Sequence, residues 1–232
     1  MDEIASGIWQ AIKLIGTLDP EVRSIALFSL QVSGLALFLA AIAGIPYGIW
    51  LAFSRFPGRN ILIGFTYAGM AFPTVVVGLI VFLLLSHNGP LGFLGWLFTP
   101  FGIIAAQFLI GFPVVASLTM AAILGLNPEM RLQLQSLGAT RVQISITLLR
   151  EAKVAMIVAM AAAFGRVVTE VGAVIIVGGN IAGSTRVLTT AIVLETRKGA
   201  FDSAIALGVI LLMISFSINL IATRLQGKAL AR

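Results

Sequence analysis

Long apolar segments separated by short polar ones run along almost the whole of this chain of 232 residues. The segments lack the alternation of β-barrel strands, and each reaches the length of about 20 residues at which a helix crosses the ~30 Å hydrocarbon core of a bilayer. Because backbone polar groups must be satisfied within lipid, the pattern predicts membrane-spanning α-helices. We therefore expect an all-α membrane protein with five transmembrane helices, over residues 24–53, 60–86, 100–126, 152–178 and 201–225.

A shorter amphipathic pattern precedes the first span, in residues 1–23. Apolar side chains recur there at helical spacing beside Trp9, namely Ile4, Ile8, Ile12 and Ile15. An apolar face next to an indole that suits the headgroup region is typical of a helix lying in the membrane interface. We predict an N-terminal interfacial helix here; the alternative is a loosely ordered leader.

The polar segment over residues 127–151 separates the third and fourth spans, and the other loops between spans are shorter and rich in Gly, Pro or Thr. It opens on Asn-Pro-Glu, which supplies a capping side chain, a proline in the first turn and an acid at the positive end of the helix dipole. Gly138 then offers a corner with positive φ, and a second helix is expected from about Thr140. The pattern therefore predicts two short helices that bind a partner protein.

The composition excludes an ordinary soluble domain. The chain is 59% hydrophobic and 10% charged, with a mean hydropathy of +1.07, whereas soluble proteins carry about 25% charged residues. The absence of cysteine excludes disulfides and thiolate sites, and His87, the single histidine, is expected to be a loop residue rather than a metal ligand. Asp2 and Glu3 stand where a cleavable signal peptide would carry basic residues.

The distribution of lysine and arginine predicts the orientation. If the N-terminus is outside, nine of these residues are cytoplasmic, five are external and one, Arg166, lies within a span. The positive-inside rule therefore favours an external N-terminus and a cytoplasmic C-terminus, with residues 127–151 in the cytoplasm. Because insertion explains the positive loops, the net charge of +6 does not predict nucleic acid as a partner.

The corner at Gly138 resembles the cytoplasmic loop of ABC transporter permeases of the binding-protein-dependent import class. The signature of that loop reads E-A-A-x-x-x-G and, nine residues later, I-x-L-P. Here Leu-Gln-Leu replaces E-A-A, Gly138 matches the glycine and Glu151 stands where proline is usual. The run GRVVTEVGAVIIVGGNIAGSTRVLTTAI, residues 165–192, is similar to permeases for tetrahedral oxyanions. The overlapping run GGNIAGSTRVLTTAIVLET, residues 178–196, is most similar to the tungstate branch, with molybdate and sulfate permeases next.

This resemblance implies a type I ABC importer permease fold, with one transmembrane permease domain over residues 1–232 in the cell (inner) membrane. It implies a homodimer, two cytoplasmic ATPase subunits that bind ATP and Mg²⁺, and an extracytoplasmic oxyanion-binding protein. The chain itself is then not an enzyme and carries no cofactor; its glycine-rich run at 178–185 lacks the lysine of a phosphate loop. The implied contacts with the ATPase fall on Ser136, Leu137, Gly138, Ala139, Thr140 and Arg141.

Two charges fall inside the predicted fourth span. Arg166 and Glu170 are four residues apart, so one helical face carries both. Because an unpaired charge at the centre of a span costs about 2.5–3.5 kcal/mol, we expect pairing within the implied dimer. The pair is interpreted either as a clamp or scaffold for a gate, or as a direct contact for the anion.

Two prolines and three threonines are candidates for the transport pathway. Pro73 and Pro113 lie near the centres of the second and third spans, where each is expected to kink its helix. Thr74, Thr119 and Thr169 offer hydroxyl groups to a passing oxyanion. A static helix bundle tolerates the same residues, so both interpretations stay open.

The segment over residues 179–199 is predicted to be external. We expect it to fold partly towards the gate and to face the binding protein; the alternative is an ordinary solvated loop. The residues expected at that surface are Asn180, Ser184, Thr185 and Arg186.

Two other functions compete with that of an importer permease. A self-contained secondary transporter or channel is disfavoured because the chain shows no internal inverted repeat and because residues 127–151 suit a partner. An intramembrane enzyme would need a nucleophile and a base, and the sequence offers no such pair.

Overall fold

The computed structural model describes the backbone of residues 2–17 and 19–230, and the side chains of residues 5–13, 16–17 and 19–227. The described backbone forms α-helices and one 3-10 turn at Gly92–Leu94, without strands. The helices are α1 (Asp2–Gly16), α2 (Pro20–Phe53), α3 (Arg59–Met70), α4 (Thr74–Leu85), α5 (Pro100–Leu124), α6 (Pro128–Ser136), α7 (Arg141–Glu151), α8 (Lys153–Val168), α9 (Gly172–Gly178), α10 (Leu188–Arg197) and α11 (Phe201–Leu230).

Three of these helices, α2, α5 and α11, are long and apolar enough to cross a membrane by themselves. They correspond to the first, third and fifth predicted spans. The second and fourth predicted spans are each broken into two helices, with a bend of 101° between α3 and α4 and of 54° between α8 and α9. The described residues thus contain three candidate spans, or up to five if each bent pair is one span.

Pro73 does not kink a continuous helix, as the sequence had suggested, but directly precedes α4. Proline lacks a backbone N–H and disfavours helical geometry at the residue before it, so α3 ends at Met70 and α4 starts in a new direction. Pro113 behaves differently, because α5 continues through it as one helix. Pro46, which the sequence analysis did not single out, lies inside α2 in the same way.

The centre of the fold is the contact between α2 and α5, the most extensive between any two described helices. Small side chains recur every four residues along the buried face of α2: Ala36, Ala40, Gly44, Gly48 and Ala52. A Cβ atom at Gly48 would lie 2.5 Å from the carbonyl oxygen of Ala116 and 2.9 Å from the Cβ of Thr119 in α5. Small residues of this kind let two helix backbones approach closely within a membrane.

The leader forms a helix, α1, that packs against the start of α11. The Ser6 hydroxyl bonds the Asp202 carboxylate, and a Cβ at Gly7 would lie 2.6 Å from the side chain of Ile205. Trp9 on the opposite side is 70% exposed. The placement of α1 in the membrane interface stays a prediction, and the side chains of Ile4 and Ile15 lie outside the described residues.

We expect Gly48→Ala to destabilise the protein, because its new Cβ meets a backbone oxygen that cannot move without separating α2 from α5. Overpacking of this kind typically costs about 1–3 kcal/mol. Gly34→Ala is the matched control on the same helix, since a Cβ there meets nothing within 4 Å. Thermal unfolding in detergent, followed by circular dichroism, should show a lower midpoint for Gly48→Ala alone. Equal midpoints for both variants would contradict the proposed close packing.

Candidate functional site

The predicted corner at Gly138 is present, and local signals build it. The Asn127 side chain accepts a hydrogen bond of 2.9 Å from the backbone N–H of Glu129 at the start of α6. Gly138 has a φ of +76°. Thr140 and Gln143 form a reciprocal capping box at the start of α7, with bonds of 2.8 and 3.3 Å. The helix–corner–helix arrangement over residues 127–151 is therefore confirmed.

Apolar side chains are exposed around this corner. Leu137 is 82% exposed, Val142 67% and Leu132 64%. Leu134 and Ala139 point the other way and pack against the cluster that contains Leu51, Met120, Ile144 and Leu148. Exposed apolar side chains of this kind indicate a surface that contacts protein or membrane. We call the six residues 136–141 the coupling corner; all of them are exposed except Ala139, which is half-buried.

Two arginine side chains contact the end of α2, which the sequence analysis did not foresee. The Arg131 guanidinium of α6 lies 4.4 Å from the centre of the Phe53 ring at the end of α2. The Nε of Arg59 donates a 2.8 Å hydrogen bond to the carbonyl of Leu51, one of the carbonyls left free where α2 ends. The Arg131 contact joins α6 to the end of α2, and the Arg59 bond joins the start of α3 to the same end.

The two helix breaks lie next to each other. A Cβ built on Gly172, the first residue of α9, would lie 3.6 Å from Oε1 of Glu170 and 3.7 Å from Oγ1 of Thr74, the first residue of α4. Gly78 of α4 and Ala173 of α9 lie closer still, since a Cβ at Gly78 would lie 2.6 Å from the Cα of Ala173. The starts of α4 and α9 therefore form one compact site.

The prediction that Arg166 and Glu170 share a helical face is wrong. Helix α8 ends at Val168, so Glu170 falls beyond it. The buried Glu170 carboxylate instead accepts a 3.0 Å hydrogen bond from the backbone N–H of Ala173 and caps α9. Arg166 is exposed, and no ion pair joins the two side chains in the chain as described. Pairing of Arg166 across a dimer stays a prediction.

The other pathway candidates divide into two groups. Pro73 and Thr169 are exposed and Thr74 is half-buried, all three at the breaks; the Thr169 hydroxyl donates to the carbonyl of Gly165, 2.7 Å away. Pro113 and Thr119 are buried in the core. Close packing of α2 and α3 covers this face of α5, so a passing anion does not reach these two residues in this conformation.

The segment over residues 179–199 is not an ordinary solvated loop. It contains α10, whose residues Leu188–Ala191 are buried and which packs on α11. Thr185 does not face a partner: its buried hydroxyl donates to the carbonyl of Gly178, 2.5 Å away, where α9 ends. Ser184 is exposed, and the Nδ2 of Asn180 donates to the carbonyl of Thr190, 3.3 Å away.

Arg186 forms an ion pair with Glu21 at the surface near the start of α2. Its guanidinium lies 3.7 Å from the carboxylate of Glu21 in α2, with 19% of the arginine side chain and 75% of the glutamate side chain exposed. This ion pair lines a cavity of about 160 Å³ together with Ser24 and Ser184. Of the four residues expected at an external surface, Ser184 and Arg186 fit that expectation best.

The sequence analysis did not identify a buried glutamine that forms hydrogen bonds near the α8–α9 break. The buried side chain of Gln107 in α5 donates through Nε2 to Oγ of Ser33 in α2 and to the carbonyl of Val167 in α8, both at 3.2 Å. It therefore joins three helices just before the break. An amide within an otherwise apolar span is the signal that could have identified it, because polar side chains in a membrane bond across helices.

The chain is similar to curated permease proteins over most of its length. The tungstate uptake system permease protein TupB of Peptoclostridium acidaminophilum is 41% identical over 97% of this chain and 99% of its own length. A probable anion ABC transporter permease protein of Haloferax volcanii is 40% identical over 90% and 92%. The TupB of Campylobacter jejuni is 38% identical over 97% and 95%.

Two solved structures share the fold. An inward-facing structure of the MetNI methionine ABC transporter matches with a TM-score of 0.72 at 16% identity, over 94% of this chain and 98% of that one. A bacterial alginate ABC transporter in complex with its alginate-bound periplasmic protein matches with a TM-score of 0.74 at 22% identity, over 93% and 84%.

The model of the family described as "binding-protein-dependent transport system inner membrane component" matches residues 44–230, which include both broken helices and the coupling corner. The chain belongs to this family of ABC importer permeases.

Proposed function

We propose that this permease carries a tetrahedral oxyanion into the cell. Tungstate is the first candidate for that anion, and molybdate and sulfate are the next. The observation that carries the proposal is the 41% identity to a tungstate uptake permease, which extends over 97% of the chain. Similarity of this extent includes the broken helices and the segment over residues 179–199, so it is not confined to a generic apolar pattern.

Two copies of the chain form the working permease in this proposal, and each coupling corner docks on a cytoplasmic ATPase subunit. The exposure of Leu137 and Val142 beside Gly138 supports this docking, because an apolar patch of this kind is otherwise left in water. ATP and Mg²⁺ are bound by the ATPase, and this chain holds neither. An extracytoplasmic binding protein delivers the anion near Ser184 and Arg186.

The transport pathway runs between the two copies, along the helix breaks. Five spans result if α3–α4 and α8–α9 each cross the inner membrane once. The N-terminus then lies outside the cell and the C-terminus in the cytoplasm. Irregular backbone at membrane depth is tolerated where it is buried in protein or lines an aqueous cavity. The exposed side chains of Pro73, Arg166 and Thr169 at the breaks suit that location.

Uptake into proteoliposomes tests this function. Liposomes that contain the permease with its ATPase subunits and ATP inside should accumulate tungstate only when the binding protein is present outside. Calorimetric titration of that binding protein with tungstate, molybdate and sulfate identifies the preferred anion. Accumulation at full rate without ATP or ATPase subunits would instead favour a self-contained secondary transporter.

Leu137→Asp should weaken the docking of the ATPase, because it places a charge at the most exposed apolar position of the coupling corner. We expect a loss of roughly tenfold or more in affinity, as for a central interface residue. Thr147→Asp, which adds the same charge at an exposed position in α7, is the matched control. Affinity measured by biolayer interferometry should fall for Leu137→Asp alone. Unchanged affinity of Leu137→Asp for the ATPase would show that Leu137 does not contribute to the interface.

Arg166→Ala should abolish ATP-dependent uptake while lowering the amount of permease in the membrane much less. The reason is that Arg166 is exposed at the pathway and bonds no other side chain within the described chain. Arg197→Ala removes an equally exposed cation at the end of α10 and serves as control. Uptake is compared with the amount of permease on immunoblots. Equal loss of both quantities would make Arg166 a structural clamp.

A further inference from the structure

An apolar groove opens on the side of the molecule between α2, α8 and α11. Its volume is about 460 Å³, and Leu37, Phe164, Ile218 and Leu225 contribute to its walls. A second cavity of about 440 Å³ continues it towards α7. Ile45, Met156 and Ile157 line both cavities, so the two form one channel along the surface of α8.

This groove ends at two cations. Arg150, in the last turn of α7, and Lys153, the first residue of α8, line the second cavity. Both side chains are exposed, and neither forms an ion pair or a hydrogen bond within the part of the chain that the structure describes. The alkyl parts of both side chains line the cavity, so the groove is apolar along its length and the two charged ends lie at its rim.

The length of the groove matches one leaflet of a bilayer. Phe164 follows Lys153 by eleven residues in α8, which corresponds to about 16 Å along the helix axis at 1.5 Å per residue. Half of a hydrocarbon core of ~30 Å is about 15 Å. On the orientation proposed above, the groove runs from the cytoplasmic surface, at Arg150 and Lys153, to the middle of the membrane.

We propose that this groove holds an anionic phospholipid of the cytoplasmic leaflet. The phosphate lies between Arg150 and Lys153, and one acyl chain lies along α8 as far as Phe164. Basic sites between membrane helices on the cytoplasmic side have the chemistry that binds anionic headgroups. Charge complementarity favours lipid over a second copy of the chain, because an apolar protein helix would fill the groove and leave both cations unpaired.

The bound lipid would also contact the segment that joins the coupling corner to the membrane. Arg150 lies in the helix that starts beside the corner, and Lys153 starts the helix that leads to the break at Glu170. This inference does not depend on which anion is transported, so failure of tungstate uptake leaves it standing.

Native mass spectrometry tests the headgroup. The purified permease is released from mixed micelles of phosphatidylglycerol and phosphatidylcholine, and the lipids retained on it are counted. We expect phosphatidylglycerol to be retained preferentially, and the double variant Arg150→Gln/Lys153→Gln to lose that preference by roughly tenfold or more. Arg224→Gln, an exposed cation of α11 that does not line the groove, should retain it. Equal retention of the two lipids by the unaltered protein would overturn the proposal.

A second pair of variants tests the acyl chain. Ala161→Phe fills the groove without altering its charge, so lipid retention should fall. Thr223→Phe adds the same bulk at an exposed position outside the groove and should have no effect. Size-exclusion chromatography first establishes that both variants are folded. If Ala161→Phe instead splits a dimer into monomers and leaves lipid retention unchanged, a second copy occupies the groove and the lipid proposal is wrong.

Discussion

The direct backbone contact between α2 and α5 is the interaction on which the rest of the structure depends. In hydrocarbon, burial of apolar side chains does not by itself drive helices together, so close approach and polar bonds must hold the bundle. Gly44 and Gly48 permit that approach. Gln107 adds hydrogen bonds to α2 and α8, and α6 attaches to the end of α2 through Arg131 and Phe53. The central pair is thus the body on which α3, α4, α8 and α9 pack.

The two bent helix pairs, α3–α4 and α8–α9, add irregular backbone to that body. Specific hydrogen bonds stabilise the break between α8 and α9. The Glu170 carboxylate caps α9, and the Thr189 hydroxyl donates to the backbone carbonyl of Glu170 at 2.9 Å. Glycines at the start of α9 and within α4 let the two short helices touch. At the α8–α9 break these contacts satisfy the backbone N–H of Ala173 and the carbonyl of Glu170.

Sequence reasoning succeeded where short-range signals decide the structure. Asn127 and Gly138 each act within a few residues, so the helix, corner and helix over residues 127–151 could be predicted, although the Thr140–Gln143 capping box was not foreseen. It failed at the α8–α9 break because Glu170 prefers the backbone of Ala173 to an i−4 arginine, a choice that hydropathy does not reveal. The burial of Thr185 likewise depends on a carbonyl seven residues earlier, which spacing alone could not identify.

The route from the coupling corner to the breaks is short and continuous. Helix α7 is followed after the single residue Ala152 by α8, which ends beside the cap formed by Glu170. A helix of 16 residues is about 24 Å long, so a displacement of the corner reaches the break without crossing a flexible linker. Gln107 resists such a displacement because it bonds the carbonyl of Val167. A change between two states of the pathway must therefore either move α5 with α8 or exchange this bond for another.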